Sequence, residues 1–466
     1  MASTLGDGLF SPGRRTLTFG LVLTITLVAF ESLAISTVMP LVAQDLGGLE
    51  LYGWVFSAFF LASIVGIVVI GGLLDRSGLV RPMAVSLLLF GIGLLMGGLA
   101  PAMPVLVVAR FIQGLGAGAV GPTVYVAIGR SMPERLRPRM FAIMSTAWVL
   151  PGVIGPAVAG VIGETVGWRW VFLGLLPLIV VSGSMTLRAL RGVAAAPPSE
   201  HLAAEAVRRR LPLALLVAAG SAAAVAGLTS GVALLAAVLV PAGVVLGLPA
   251  FRRLSPPGTL RLRPGLPAAI GLRGVLTFAF FSVDVYVALL LIDYREVSAF
   301  AAGLALTAAT IAWTAGSWTQ ARRIEVLGAA WFVRLGFLVV ATGIATTMLV
   351  LIPAVPWQLA IVTVGVAGLG MGLSYAPLAL YTLRMAAPGT QGSATSALQL
   401  SDTLGIALGT GIAGAFVAAG ERSGAEPWIA LAAAFGMGAI VAATGSLAAG
   451  RMVARLPAAP SGAAAD

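Results

Sequence analysis

The chain has 466 residues, of which 59% are hydrophobic and 10% charged, with a mean hydropathy of +1.03 and a net charge of +11. A soluble domain carries roughly 25% charged residues, so this composition excludes an ordinary water-soluble globular protein. All 28 basic residues are arginine, cysteine is absent and His201 is the sole histidine, which excludes a Walker A loop, a Schiff-base lysine, a thiol nucleophile and a His-rich metal site.

Apolar runs long enough to cross a bilayer as helices recur from end to end. In chain order, spans are expected at about 17–42, 51–74, 82–100, 104–129, 140–163 and 168–187. Two more are expected at 211–228 and 231–250, and six at 267–292, 298–320, 327–352, 356–383, 391–418 and 427–450. The sum is fourteen, numbered here span one to span fourteen. A β-barrel would instead show alternating segments of about ten residues. The first run is too long for a signal-peptide core and no small-residue cleavage site follows it.

With both termini cytoplasmic, about 22 of the 28 arginines fall on the inner side, as the positive-inside rule requires. The Pro/Ala/Arg-rich stretches "RALRGVAAAPPSEHLAAEAVRRR" (188–210) and "FRRLSPPGTLRLRPGL" (251–266) read as cytoplasmic linkers. The expected organisation is a tail at 1–15, a six-helix bundle at 16–190 and a linker at 191–210. An inserted hairpin at 211–250, a linker at 251–266, a second six-helix bundle at 267–453 and a disordered tail at 454–466 follow.

The two bundles resemble each other. "GLGAG" at 114–118 recurs as "GLGMG" at 368–372, and Glu31 in span one faces Asp284 in span nine at nearly the same offset. Internal repeats in a multi-span protein mark secondary transporters, whose binding sites lie near the midplane between the repeats.

Several motifs carry a family resemblance. The loop after span two, "GGLLDRSGLVR", keeps Gly71, Leu73, Asp75, Arg76, Gly78 and Arg81 of the pattern Gly-x-Leu-x-Asp-Arg-x-Gly followed by basic residues. Leu79 and Val80 stand where the usual basic pair would be. Span four carries "RFIQGLGAGAVGP", with Arg110, Gln113 and Gly114. Span five carries "PGVIGPAVAG", with Gly152, Gly155, Pro156 and Gly160, and Ala159 in place of one glycine. Span one has Glu31 nine residues before Pro40, and "WRWVF" (168–172) follows span five. In these features the whole chain resembles the major facilitator superfamily, most closely its fourteen-span drug:proton antiporter branch. The resemblance implies two six-helix bundles plus an inserted two-helix hairpin, all α. It also implies that Asp75 latches the cytoplasmic gate against the helix starting near Gln391, and that the span-five motif goes with export.

Intramembrane carboxylates are the candidate chemistry. A charged side chain at the bilayer centre costs about 2.5–3.5 kcal/mol on insertion scales, so each needs a function or a partner. Glu31, with Arg110 and Gln113, is expected to handle a proton or a cationic substrate; the alternative is a static ion pair of Glu31 with Arg110 or a hydrogen-bonded core carboxyl. Asp284, among Phe278, Phe280, Phe281 and Tyr286, suits an amphipathic cation by Coulomb attraction and cation–π contact. Asp402, near Gln399 and Thr403, is a third cavity candidate. Phe30, Phe281, Tyr286 and Tyr375 are the expected cavity aromatics. Arg273 and Arg334 are expected to snorkel to the cytoplasmic surface. Asp293, Arg295, Glu164, Glu421 and His201 are expected to be solvated.

The expected function is a proton-driven exporter of amphipathic or cationic drugs working by alternating access in a bacterial cytoplasmic membrane. It would act as a monomer among membrane lipids, with no cofactor beyond the proton gradient, no metal and no nucleic acid. A carrier of a lipid, glycolipid or endogenous metabolite on the same fold is the alternative, and a non-transporting membrane sensor a lesser one. Nucleophile and acid–base sets for an enzyme are missing.

Overall fold

The computed structural model describes residues 8–12, 14–133, 136–192, 200–387 and 391–452, without the side chains of 71–77 and a few others inside helices. Fourteen helices among the described residues are long and apolar enough to cross a membrane, and no strand is present among them. Spans one to six are Arg15–Leu46, Tyr52–Ser77, Val80–Gly98, Met103–Ser131, Arg137–Ile162 and Arg169–Leu190, the last broken at Gly174. Spans seven and eight, Glu200–Thr229 and Ala233–Leu254, form the hairpin. Spans nine to fourteen are Leu266–Leu289, Ala299–Leu327, Ala329–Thr347, Leu359–Met385, Gln391–Ser423 and Pro427–Ala448.

Successive spans alternate in direction, so spans one, three and five start on one face and end on the far face; with fourteen spans the last also ends on the first face, here called the terminal face. Span seven begins at Glu200 rather than 211, so the stretch expected as linker is in part helix. Span one runs past Pro40 to Leu46. Spans five and nine each end on the far face in a π-helical turn, Gly163–Gly167 and Leu290–Tyr294.

Glycine stripes bring the spans together, because a missing Cβ lets two backbones approach. The stripes also establish the repeat in three dimensions. A Cβ on Gly114 would strike the carbonyl of Phe59 in span two, and one on Gly368 the carbonyl of Ala309 in span ten. Gly66 meets Leu115 as Gly316 meets Leu369, and Gly93 meets Gln113 as Gly343 meets Ala367. Spans two, three and four of one bundle thus correspond to spans ten, eleven and twelve of the other, residue by residue.

The bundles meet along two seams, span two on span thirteen and span five on span ten, with span one against span nine between them. The hairpin packs on span two and span thirteen. Leu61 and Ile64 of span two, Ala214 and Val217 of span seven, Ala250 and Phe251 of span eight, and Ala407 of span thirteen form one buried apolar cluster over that seam.

Candidate functional site

Span one carries Glu31 to mid-helix, where it is 1% exposed. Span four supplies its counter-charge. Arg110, equally buried, donates through Nη1 to Glu31 Oε1 and to Gln113 Oε1, the latter at 2.7 Å, and through Nε to the Val55 carbonyl at 3.2 Å. Its guanidinium lies 4.2 Å from the centre of the Phe59 ring. The i, i+3 spacing puts Arg110 and Gln113 on one face of span four, and the Gly114–Phe59 contact pulls that face onto span two. Glu31 Oε2 and Gln113 Nε2 are buried with no hydrogen-bond partner among the described residues.

A second ion pair lies in the other bundle. Arg273 Nε donates to Asp402 Oδ1 at 2.7 Å and Arg273 Nη1 to the Tyr375 carbonyl at 2.6 Å. Tyr375 Oη donates to Asp402 Oδ2 at 3.0 Å, and the guanidinium lies over the Tyr375 ring. Arg273 is therefore not a snorkelling surface arginine. Its side chain is 4% exposed and turns inward, because Asp402 Oδ1 and the Tyr375 carbonyl of span twelve offer it two acceptors. Asp402 is correspondingly a paired carboxylate and not a free cavity acid.

Asp284 has neither arrangement. It borders a small crevice lined by Phe280, Val283 and Val287 of its own helix, Ile344 and Thr347 of span eleven, and Val364 and Ala367 of span twelve. Of the expected aromatics, only Phe280 borders it; Phe281 stacks edge-on against Phe280. Tyr286 is not a cavity residue. It is fully buried on the far-face seam, where its Oη donates to the Thr410 carbonyl at 2.8 Å and its ring packs against Tyr52. Phe30 lies beside Gly155, on the span-one side of span five.

The far face is closed by contacts between the bundles. Gly53 abuts Gly414, Tyr52 Oη donates to the Val285 carbonyl and Ser57 Oγ to the Ala407 carbonyl. On the second seam Gly152 abuts Thr310, Gly160 abuts Ala299 and Gly303 the Pro156 carbonyl, so the span-five motif forms this seam directly. Thr307 Oγ1 donates to the Val153 carbonyl at 3.0 Å. Charged groups expected to be solvated join the closure. Glu164 accepts the backbone N–H groups of Ala299 and Phe300, capping span ten. Gln44 donates to Asp293 at 2.6 Å across the bundles; Arg295 instead stays within the second bundle, binding the carbonyls of Val350, Ile352, Pro353 and Val355.

At the terminal face, span two ends on Gly78, which has φ +70°, a backbone conformation that glycine adopts without penalty. Arg81 is exposed at the start of span three. The side chains of Gly71 to Ser77, including Asp75 and Arg76, lie outside the described residues; so does the side chain of His201.

The Major Facilitator Superfamily profile matches residues 21–410. The chain belongs to the Major Facilitator Superfamily. A probable multidrug-efflux transporter from Mycobacterium tuberculosis (strain ATCC 25618 / H37Rv) is 26% identical over 409 residues, covering 84% of this chain and 85% of that protein. The multidrug efflux pump SdrM of Staphylococcus aureus (strain N315) is 31% identical over 162 residues, covering 35% and 36%. Among solved structures, an auto-inhibited POT family peptide transporter superposes with a TM-score of 0.65 at 16% identity, covering 92% of this chain and 96% of that one. A D-xylose–proton symporter superposes with a TM-score of 0.61 at 12% identity, covering 93% and 97%. At these identities the structures speak for the fold alone. This superfamily member is thus a multi-pass membrane protein whose relatives are multidrug efflux transporters. Its two buried intramembrane ion pairs among the described residues are Glu31–Arg110 in the first bundle and Asp402–Arg273 in the second.

Proposed function

We propose that this chain exports amphipathic, largely apolar or cationic compounds across a bacterial cytoplasmic membrane in exchange for protons. The observation that carries the reading is the Glu31–Arg110–Gln113 cluster. It is a mid-span carboxylate held on one oxygen by a guanidinium, while its other oxygen is buried without a hydrogen-bond partner among the described residues. A carboxylate that keeps one oxygen unbonded can accept a proton there without first breaking its ion pair. Protonation then weakens the charge-assisted hydrogen bond from Arg110, freeing span four to move relative to span one.

The seams supply the motion. They are lined by glycine and small residues, so the bundles meet backbone to backbone and can part without unpacking large side chains. With the far face closed, as here, a site between the bundles can be loaded only from the terminal face. Rocking the bundles opens the far face and closes the other, which is alternating access around a midplane site. Both termini are cytoplasmic in this reading, the proton gradient is the energy source and one chain is the working unit. The similarity over 84% of the chain to a probable multidrug-efflux transporter of M. tuberculosis supports the direction of transport.

The test is efflux from proteoliposomes under an imposed pH gradient. Glu31→Gln should abolish gradient-driven efflux of a cationic dye while leaving the reconstituted amount unchanged. Undiminished gradient-driven efflux by Glu31→Gln would take Glu31 out of the proton path.

A further inference from the structure

The stretch between spans eight and nine, expected as a linker, is a built loop. The Pro256 carbonyl accepts from the backbone N–H and the hydroxyl of Thr259. The N–H groups of Arg261 and Arg263 both reach the Gly258 carbonyl, and that of Leu262 reaches Thr259. Leu262 takes a left-handed conformation, φ 48° and ψ 47°, which residues other than glycine adopt only at a cost. Seating offsets that cost. A Cβ on Gly271 of span nine would strike Leu262 Cδ2, so the leucine fills the notch that the glycine leaves. Gly265 N–H donates to the Arg451 carbonyl, and Arg451 Nη1 donates to the Arg261 carbonyl at 2.8 Å. The loop is thus fixed to span nine and to the chain just after span fourteen.

What the loop presents is positive charge around one apolar side chain. Leu260 is 43% exposed, and Arg261 and Arg263 are exposed beside it. Arg263 lies across Gly258, where a Cβ would strike its stem. Arg252 and Arg253 are exposed in the last turn of span eight, a few residues before the loop. Gly220 meets Gly243 and Gly247, a register that puts the exposed Arg210 of span seven level with them. The side chains of Arg210, Arg252, Arg253, Arg261 and Arg263 make no ion pair or hydrogen bond with any described residue. Glu205 sits more than a helical turn further along span seven, away from the membrane, and its side chain lies outside the described residues. Elsewhere on this face a guanidinium does find an acid, as Arg384 finds Glu325.

A slack linker would satisfy the positive-inside rule equally well, so topology alone does not call for a strained, hydrogen-bonded loop. Its place in the membrane does. Spans eight and nine are apolar up to its edges, so it lies where hydrocarbon meets water. A small anion from solution would use the guanidiniums and ignore the leucine. A molecule that is apolar on one side and anionic on the other uses both. We propose that this base of the hairpin binds the head group of an anionic phospholipid. Phosphate oxygens take the planar forks of Arg252, Arg253, Arg261 and Arg263, and Leu260 lies against the acyl chains. Each arginine near such a head group contributes about fivefold in affinity. The bound lipid joins the end of span eight to the loop held by spans nine and fourteen. It therefore anchors the hairpin that covers the span two–thirteen seam. The site stands apart from the export reading and does not depend on it.

The experiment uses the full-length protein in a neutral detergent, titrated with phosphatidylglycerol, phosphatidylcholine or inorganic phosphate. Retained lipid is counted by native mass spectrometry, and the thermal unfolding midpoint is read in parallel. Wild type should retain phosphatidylglycerol and unfold at a higher temperature with it. Phosphatidylcholine and inorganic phosphate should do neither. Arg252→Gln, Arg253→Gln, Arg261→Gln and Arg263→Gln combined should weaken phosphatidylglycerol binding at least about tenfold and remove the thermal shift. In phosphatidylcholine that variant should unfold like wild type, because the four side chains are exposed and unpaired. The pairs Arg252→Gln/Arg253→Gln and Arg261→Gln/Arg263→Gln should each lose part of the affinity, and they carry the test if the four together unfold. Arg188→Gln, Arg191→Gln, Arg322→Gln and Arg323→Gln combined remove equal charge from the same face and should keep both readouts. Leu260→Ser should weaken phosphatidylglycerol severalfold. Undiminished lipid binding without the four loop and span-eight arginines would overturn the site. An equal loss in the control combination would reduce it to the diffuse charge of the face. An equal thermal shift with inorganic phosphate, or wild-type lipid binding by Leu260→Ser, would overturn the lipid in favour of a small anion.

Discussion

Arg273 of span nine and Asp402 of span thirteen form a buried ion pair with an Nε–Oδ1 distance of 2.7 Å, clamped by Tyr375 from span twelve. Three helices of the second bundle thus converge on one pair. Breaking one partner leaves an uncompensated charge in a low-dielectric interior, which costs about 3–5 kcal/mol. Asp402→Ala or Arg273→Ala should each lower the detergent unfolding midpoint markedly. Arg273→Met with Asp402→Leu should cost less than either single change, because no orphan charge remains. Thermal unfolding of the four proteins checks this, and a double variant as unstable as the sum of the singles would contradict it.

That pair also shows where sequence reading stops. Arg273 sits seven residues into span nine, where a snorkelling side chain is a sound expectation. Its partner lies 129 residues away, and nothing in local pattern selects inward over outward. The spans were legible because each is a long apolar run whose length matches a bilayer. The repeat was legible because glycine stripes leave a spaced pattern. Tyr286 was misplaced because aromatic residues in one apolar helix look alike, whichever face each occupies. The apolar lining beside Asp284 was within reach: applying the glycine offset to Arg110 and Gln113 returns Val364 and Ala367 directly from the sequence.

Arg110 should tolerate no conservative change. Its Nε and Nη1 address three acceptors on spans one, two and four at once. Lysine offers one compact ammonium in place of a planar fork, and cannot hold that set. Arg110→Lys should keep charge balance with Glu31 and preserve reconstitution, yet lower gradient-driven efflux by about tenfold or more, the effect of losing one charge-assisted hydrogen bond. Efflux rates at matched protein amounts check it. Wild-type rates in Arg110→Lys would reduce the cluster to a point-charge pair.

The far-face closure can be followed directly because the chain contains no cysteine. Gln44 and Asp293 touch across the bundles at 2.6 Å. Cysteines at both positions should cross-link in high yield with a short bismaleimide in the absence of a gradient. A Cβ on Gly53 would lie 2.8 Å from Gly414 Cα and from Tyr286 Oη, so Gly53→Leu must force that seam apart. Adding Gly53→Leu to the cysteine pair should cut the cross-linking yield severalfold. An unchanged yield would mean that the span two–thirteen seam is not what holds the far face shut.

The hairpin acts on the same seam, and through one residue. Trp54 of span two donates its indole N–H to Thr229 Oγ1 at 2.9 Å, and Arg422 of span thirteen donates to the Thr229 carbonyl at 2.8 Å. Both bundles are thus fastened to the far end of span seven, on top of the apolar cluster that covers the seam below. A strap of this kind stabilises the closed far face and leaves the charge sites untouched. Trp54→Phe and Arg422→Gln should each weaken closure by about 0.5–1.5 kcal/mol, the worth of one hydrogen bond. The Gln44/Asp293 cross-linking yield should fall in both variants, and fall no further when Thr229→Val is added to Trp54→Phe, since that bond is already gone. A hairpin that only fills space between the bundles would leave the cross-linking yield unmoved by either substitution.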